Sequence, residues 1–270
     1  MNPIKYLDAY TILFDESISD FEIYQMFSIS KTKQKLYPIQ DHSIVFPYEE
    51  WESPKQNGQL DILYEDDTLL AINKPPFILV HSDGNNEINI QDQINTYLYE
   101  SNWPYKAQAI HRLDKETSGI LLFCKNPFFQ SYYDQLFASD HPKKYYYALV
   151  KKNFPFKEKE ILSKIGRDRH DAKKMRISES GKSAHTIVQR KEIFKQTTLL
   201  SVNILTGRKH QIRVHLASLG FPILNDSLYG KVENNLGLML QHYSITLPLP
   251  NGEILHLVIP LDKRIASAAK

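Results

Sequence analysis

The sequence predicts an α+β fold: a mainly antiparallel or mixed central β-sheet, flanked by helices and opened by a cleft. Three observations carry this. Strand signals are numerous and short, helical spacing is confined to a few stretches, and tight turns rather than crossover helices join neighbouring strand signals. A doubly wound parallel sheet needs a regular alternation of strand and helix, and this chain lacks it.

The elements follow in order. Residues 1 to about 50 lack clean strand alternation and carry one helix-like stretch, 18–29. The polar segment Glu52-Ser53-Pro54-Lys55-Gln56-Asn57-Gly58 then marks a boundary. We therefore expect a small module over residues 1–57, linker included, and a main domain over 58–270. Ile62-Leu63-Tyr64 and Leu69-Leu70-Ala71-Ile72 flank the acidic turn Glu65-Asp66-Asp67 as two strands, and Pro75-Pro76 stop the second. Residues 90–100 and 128–138 have helical spacing. Residues 120–125 and 145–150 read as strands, and 197–205 alternates, with Leu200, Val202 and Ile204 opposite Ser201 and Asn203. A helix is expected over 209–219, with Ile212, Leu216 and Leu219 on one face and Gly220 and Pro222 ending it. Strands over 238–249 and 254–259, joined at Pro250-Asn251-Gly252, close the chain.

Composition narrows the class. No apolar run approaches the length of a membrane span, and the start of the chain does not read as a signal peptide. Cys124 is the only cysteine, which excludes an internal disulfide framework and a multi-cysteine zinc site and fits a cytoplasmic location. The net charge is only +2, so any nucleic-acid contact rests on local clusters such as Lys143-Lys144, the run 167–176 and Arg208-Lys209-His210. Such clusters also serve as ordinary solvated surface.

Two segments carry chemistry. The first is His111-Arg112-Leu113-Asp114-Lys115-Glu116-Thr117-Ser118-Gly119, running into an apolar strand. Asp114 is either a turn-forming or capping aspartate or a reactive carboxylate on rigid scaffolding. A carboxylate attacks or deprotonates only while ionised, and burial opposes ionisation unless a cation pairs with it. A catalytic Asp114 therefore calls for an arginine. Arg213, in Gly207-Arg208-Lys209-His210-Gln211-Ile212-Arg213-Val214-His215, is the candidate: it lies about 100° around the helix from Ile212, at the edge of the buried face. It is equally readable as a surface arginine. His210 and His215 are five residues apart, unlike the i, i+4 pair of zinc proteases, so no metal site is expected.

Together these segments resemble the signatures of the RluA family of pseudouridine synthases. The family's HRLDxxTSG is complete at 111–119 apart from its variable positions, its K-x-Y strand appears as Lys144-Tyr145-Tyr146, and its GRxHQIRxHLAxLGxPIxGDxxYG runs from Gly207 to Gly230. Residues 62–81 and Gly181-Lys182-Ser183-Ala184-His185-Thr186 are similar to two further family segments. The resemblance covers roughly residues 60–260.

It implies an isomerase that breaks the uridine N1–C1′ bond, turns the base and rejoins it through C5, with no cofactor and no nucleotide cosubstrate. Asp114 would be the catalytic carboxylate, as nucleophile at C1′ or base at C2′. Arg213 would pair with it, and Tyr146 would pack on the uracil face and help remove the C5 proton. Arg112 would fill the gap left by an everted base or contact phosphate. His111, Lys144, Arg208, Lys209, His210 and Gln211 join it as expected RNA contacts. The partner would be structured RNA, ribosomal or transfer, bound by a monomer. Three departures stand out. The family KPxG reads Lys74-Pro75-Pro76-Phe77, its GD reads Asn225-Asp226, and the N-terminal module, basic in many relatives, carries Asp8, Asp15, Glu16, Asp20 and Glu22.

The alternative is a non-catalytic RNA-binding or ribosome-assembly protein that keeps the fold; retention of Asp114, Tyr146 and Arg213 together argues against it. A kinase-like catalytic loop is excluded, because no glycine-rich phosphate loop precedes the HRLD string.

Overall fold

A computed structural model describes residues 4–8, 10–47, 50–85, 87–139 and 141–269. Met1–Pro3 and Ala9 of the expected N-terminal module lie outside the described residues, as does the side chain of Asp8.

The start of the chain holds more strand than its pattern suggests. β1 (Ile4–Asp8) and β2 (Thr11–Phe14) precede α1 (Asp20–Met26) and α2 (Lys31–Gln34), and β3 (Ile39–Gln40) and β4 (Ser43–Val45) follow, forming a sheet in the order β1-β2-β4-β3. These strands are too short for a period-two pattern to stand out. The helix within 18–29 is shorter than expected because Ser19 caps it: the Ser19 hydroxyl accepts the Glu22 N–H while the Glu22 carboxylate accepts the Ser19 N–H. Glu22 thus caps the helix start, with Asp20 also in its first turn, and Asp15 takes the Ser17 N–H and hydroxyl.

The rest of the chain builds one large mixed sheet. In chain order come β5 (Ile62–Glu65), β6 (Leu69–Lys74), α3 (Ile90–Glu100), β7 (Gln108–Ala109), β8 (Ser118–Cys124), α4 (Pro127–Ala138) and β9 (Lys143–Lys151). Then follow β10 (Glu158–Arg167), β11 (Met175–Ile177), β12 (Lys182–Ile193), β13 (Thr197–Ile204), α5 (Gln211–Ser218), β14 (Leu240–Pro248), β15 (Ile254–Val258) and α6 (Lys263–Ala268). The order is β11-β10-β12-β13-β9-β14-β8-β6-β5, with β15 on β14 and β7 on β8. β14 and β8 are parallel and the other named pairs antiparallel, so the fold is α+β with a mixed sheet.

Both faces of the central strands are covered. β8 is buried at every position, and β13, expected to alternate, is buried at all but Asn203. One face packs on α3 and α6; the other packs on α4 and on the N-terminal residues, where Phe27 and Phe46 meet Phe128 with ring centroids 5.3 and 5.4 Å apart. Cys124 lies buried at the end of β8. The parallel β14–β8 contact depends on Gly119, at φ 110°: a β-carbon there would overlap the His242 backbone. No helix among the described residues is long and apolar enough to cross a membrane.

Candidate active site

The loop before β8 presents Asp114. Its backbone does form a turn, with the Thr117 N–H donating to the Asp114 carbonyl at 3.0 Å, while its carboxylate accepts from Arg213. The loop is fixed from below. The fully buried ammonium of Lys74 donates to the carbonyls of Pro75, Ile78 and Lys115 at 2.8, 3.0 and 3.1 Å. Burial, and then the charge of Arg264, lowers the Lys74 pKa to about 7.

Arg213 reaches this loop from α5. Expected at the edge of a buried face, it is in fact 3% exposed. Nη1 donates to Oδ2 of Asp114 at 3.1 Å, while Nε and Nη2 donate to Oδ2 and Oδ1 of Asp226 at 2.8 and 2.7 Å. Asp226, wholly buried, also accepts the N–H groups of Leu228 and Tyr229. Burial opposes the Arg213 charge, but the hydrogen bonds and charge of Asp226, then the charge of Asp114, outweigh it and raise its pKa.

Tyr146 comes from β9. Its ring stacks on His242, its register partner in β14, at 4.5 Å and 15°. Its neighbours turn away, as alternation requires, and Tyr147 stacks on Tyr243 at 3.7 Å instead. Burial, and then the charge of Asp114, raises the Tyr146 phenol above its usual range, so it stays protonated at neutral pH.

These groups line one open cavity of about 370 Å³. The Asp114 carboxylate is 28% exposed to it. Among the described residues the hydrogen bonds and ion pairs of Asp114 fall on Oδ2, and none is made by Oδ1.

A family model described as RNA pseudouridylate synthase matches residues 68–218, more than half of the chain. The chain belongs to this family. A Bacillus subtilis protein named "Uncharacterized RNA pseudouridine synthase YhcT" is 38% identical over 176 residues, covering 64% of this chain and 58% of that relative. "Ribosomal large subunit pseudouridine synthase D" of Borreliella burgdorferi is 33% identical over 245 residues, covering 84% of this chain and 74% of the relative. The human protein "RNA Pseudouridylate Synthase Domain Containing 1" shares the fold, with a TM-score of 0.65 at 24% identity, over 76% of this chain and 87% of that one.

All ten residues picked from the sequence border this cavity. They differ in what they offer it. Arg112 and Lys209 are exposed at its rim, while Arg208 donates from Nε to the Ser183 carbonyl. Lys144 is buried, its ammonium 5.6 Å from the Phe137 ring. His111 is half-buried: its ring stacks on Phe137 at 5.1 Å, and Nε2 accepts the Leu122 N–H at 3.3 Å. Burial, then His242 and Lys144, push its pKa well down, so the imidazole is neutral. Gln211 is buried too, and its amide joins Thr206, Arg208, His185 and Thr186. It shapes the turn into α5. His215 is also buried, and bonds Thr186 and Ser163.

Sequence reasoning gave no role to Asp226, His242, Tyr229 or Phe137. Asp226 was within reach: a buried guanidinium has donors to spare after one carboxylate, and the GDxxYG-like segment supplies the nearest acid. His242 gave no signal inside an apolar strand.

Proposed function

We propose that this family member converts specific uridines of structured RNA to pseudouridine, with Asp114 as the catalytic carboxylate. The observation that carries the reading is convergence. Asp114, Tyr146 and Arg213 come from a loop, a strand and a helix, and meet at one opening with Oδ1 of Asp114 unengaged.

The chemistry follows from that arrangement. Oδ1 meets the ribose of an everted nucleotide, as nucleophile at C1′ or base at C2′. The N1–C1′ bond breaks, the base turns, C5 bonds to C1′, C5 loses its proton and N1 gains one. Arg213 holds Oδ2 and balances the carboxylate charge. Tyr146 lies under the uracil and, as a neutral phenol, offers hydrogen bonds to the turning base. The isomerisation is redox-neutral and needs no cosubstrate. Lys209 and Arg112 at the rim meet phosphates flanking the target. We assign the RNA as ribosomal in the first instance, since relatives bear large-subunit names, with transfer RNA as the second candidate. The protein would act as a cytoplasmic monomer, and residues 1–57 would form a module distinct from the catalytic unit.

Mapping pseudouridines across total RNA of a deletion strain and its parent tests the reading. Sites that vanish, and return with the wild-type gene but not with Asp114→Asn, support it. An unchanged map overturns it.

A further inference from the structure

His210 has a geometry that RNA binding does not explain. It stands just before α5 at φ 55°, a left-handed conformation that non-glycine residues seldom adopt, and its side chain is only 7% exposed. Strain of this kind persists where the surroundings fix it, and such positions cluster at functional sites.

Here the surroundings are specific. Nδ1 of His210 lies 2.9 Å from the Tyr229 hydroxyl. That hydroxyl already accepts the Met175 N–H at 2.7 Å. Its own proton finds an acceptor in Nδ1, the arrangement that satisfies both groups. The neutral imidazole then carries its proton on Nε2, which points at Oδ2 of Asp114 from 3.7 Å. Tyr229 is tied in turn to Asp226, which accepts its backbone N–H at 3.0 Å. One buried carboxylate therefore anchors two struts, Arg213 and Tyr229–His210, and both end on the same oxygen of Asp114.

We infer that His210 is a positioning residue for Asp114: its Nε2–H, set by the Tyr229 hydroxyl, restrains Oδ2 and so aims Oδ1 at the ribose. The inference rests on Asp114 being the catalytic carboxylate. At 3.7 Å the Nε2–H acts on Oδ2 through charge and dipole rather than through a short hydrogen bond.

Two substitutions separate this from a merely structural role. Gln carries an amide nitrogen near the Nε2 position; Asn carries one near Nδ1 and cannot reach Asp114. Backbone preference runs the other way, because Asn tolerates the left-handed conformation better than Gln. A structural role therefore ranks His210→Asn above His210→Gln, and a positioning role ranks them in reverse. The assay uses the full-length chain in excess over total RNA from the deletion strain, with pseudouridine formation followed in time. We expect His210→Asn to lower the saturating rate about tenfold, with His210→Gln within about threefold of wild type. The enzyme concentration giving half the saturating rate should stay unchanged in both. His210→Gln no faster than His210→Asn overturns the inference. If the Gln variant does not fold, His210→Gly replaces it: the glycine relaxes the backbone and leaves an imidazole-sized space. Rescue by added imidazole then supports the inference, and no rescue overturns it. Wild type and Asp114→Asn run alongside. An inactive wild type or an active Asp114→Asn is a failure of the functional reading itself, visible before any His210 variant is compared, and it removes the inference as well.

Discussion

Arg213 and Asp226 form a two-point pair, Nε to Oδ2 at 2.8 Å and Nη2 to Oδ1 at 2.7 Å, and the nitrogen left over reaches Asp114. The guanidinium is thus a rigid plate held along one edge, with the other edge turned to the cavity. A lysine has no such edge to offer.

Arg213→Lys should therefore lose activity on the order of a hundredfold although the charge is kept. Arg213→Ala should in addition destabilise the fold by about 3–5 kcal/mol, because Asp226 is left as an uncompensated buried charge. Urea unfolding and single-turnover rates check both. A Lys variant with full activity would show that charge alone suffices.

Asp114→Asn should abolish product while RNA affinity stays within about twofold, because phosphate contacts rather than the carboxylate hold the RNA. Filter binding and mapping at the sites lost in a deletion strain measure the two separately. Product formation at the wild-type rate would remove the mechanism.

Tyr146→Phe keeps the ring that stacks on His242 and removes only the hydroxyl. The variant should fold and bind RNA normally, yet form product more slowly, on the order of a hundredfold. Equal rates would mean that the phenol takes no part in handling the base.

Acid should destabilise the protein before its carboxylates protonate. Burial lowers His242 and His215 from 6.5 to about 4. Between those values the unfolded chain binds protons that the folded chain refuses, so stability falls as pH drops through 6.5 and the loss is complete below about 4. Each histidine contributes a loss of about 2 kcal/mol between pH 7 and pH 5. Urea midpoints at the two pH values test this; a midpoint that does not fall at pH 5 contradicts it.

Much of this was legible beforehand, for reasons that differ by element. α3 and α4 carry several apolar residues at helical spacing, and their ranges fall within one residue of those expected. β10 went unread because it is charged and buries only Ile161 and Ile165, a spacing of four that mimics a helix. β13 looked two-sided because Ser201 and Asn203 are polar, yet Ser201 is buried against the Tyr243 hydroxyl. In the site, local motifs supplied ten of the residues that line the cavity. They could not show that Arg213 is a bridge between two carboxylates, since Asp226 follows it by thirteen residues and meets it only after the chain doubles back.

The two departures from the family's glycines keep left-handed backbones without glycine, Phe77 at φ 68° and Asn225 at φ 62°. For Phe77 the accommodation lies elsewhere in the chain. Its ring occupies the space that a side chain at Gly237 would take, and Gly237 itself stands at φ 76°. The need for a bare backbone has thus been shared between two distant loops that fit as knob and socket. Trimming position 77 would clear that space but leave the left-handed backbone at 237, so glycine there answers both to the ring and to its own dihedral angle.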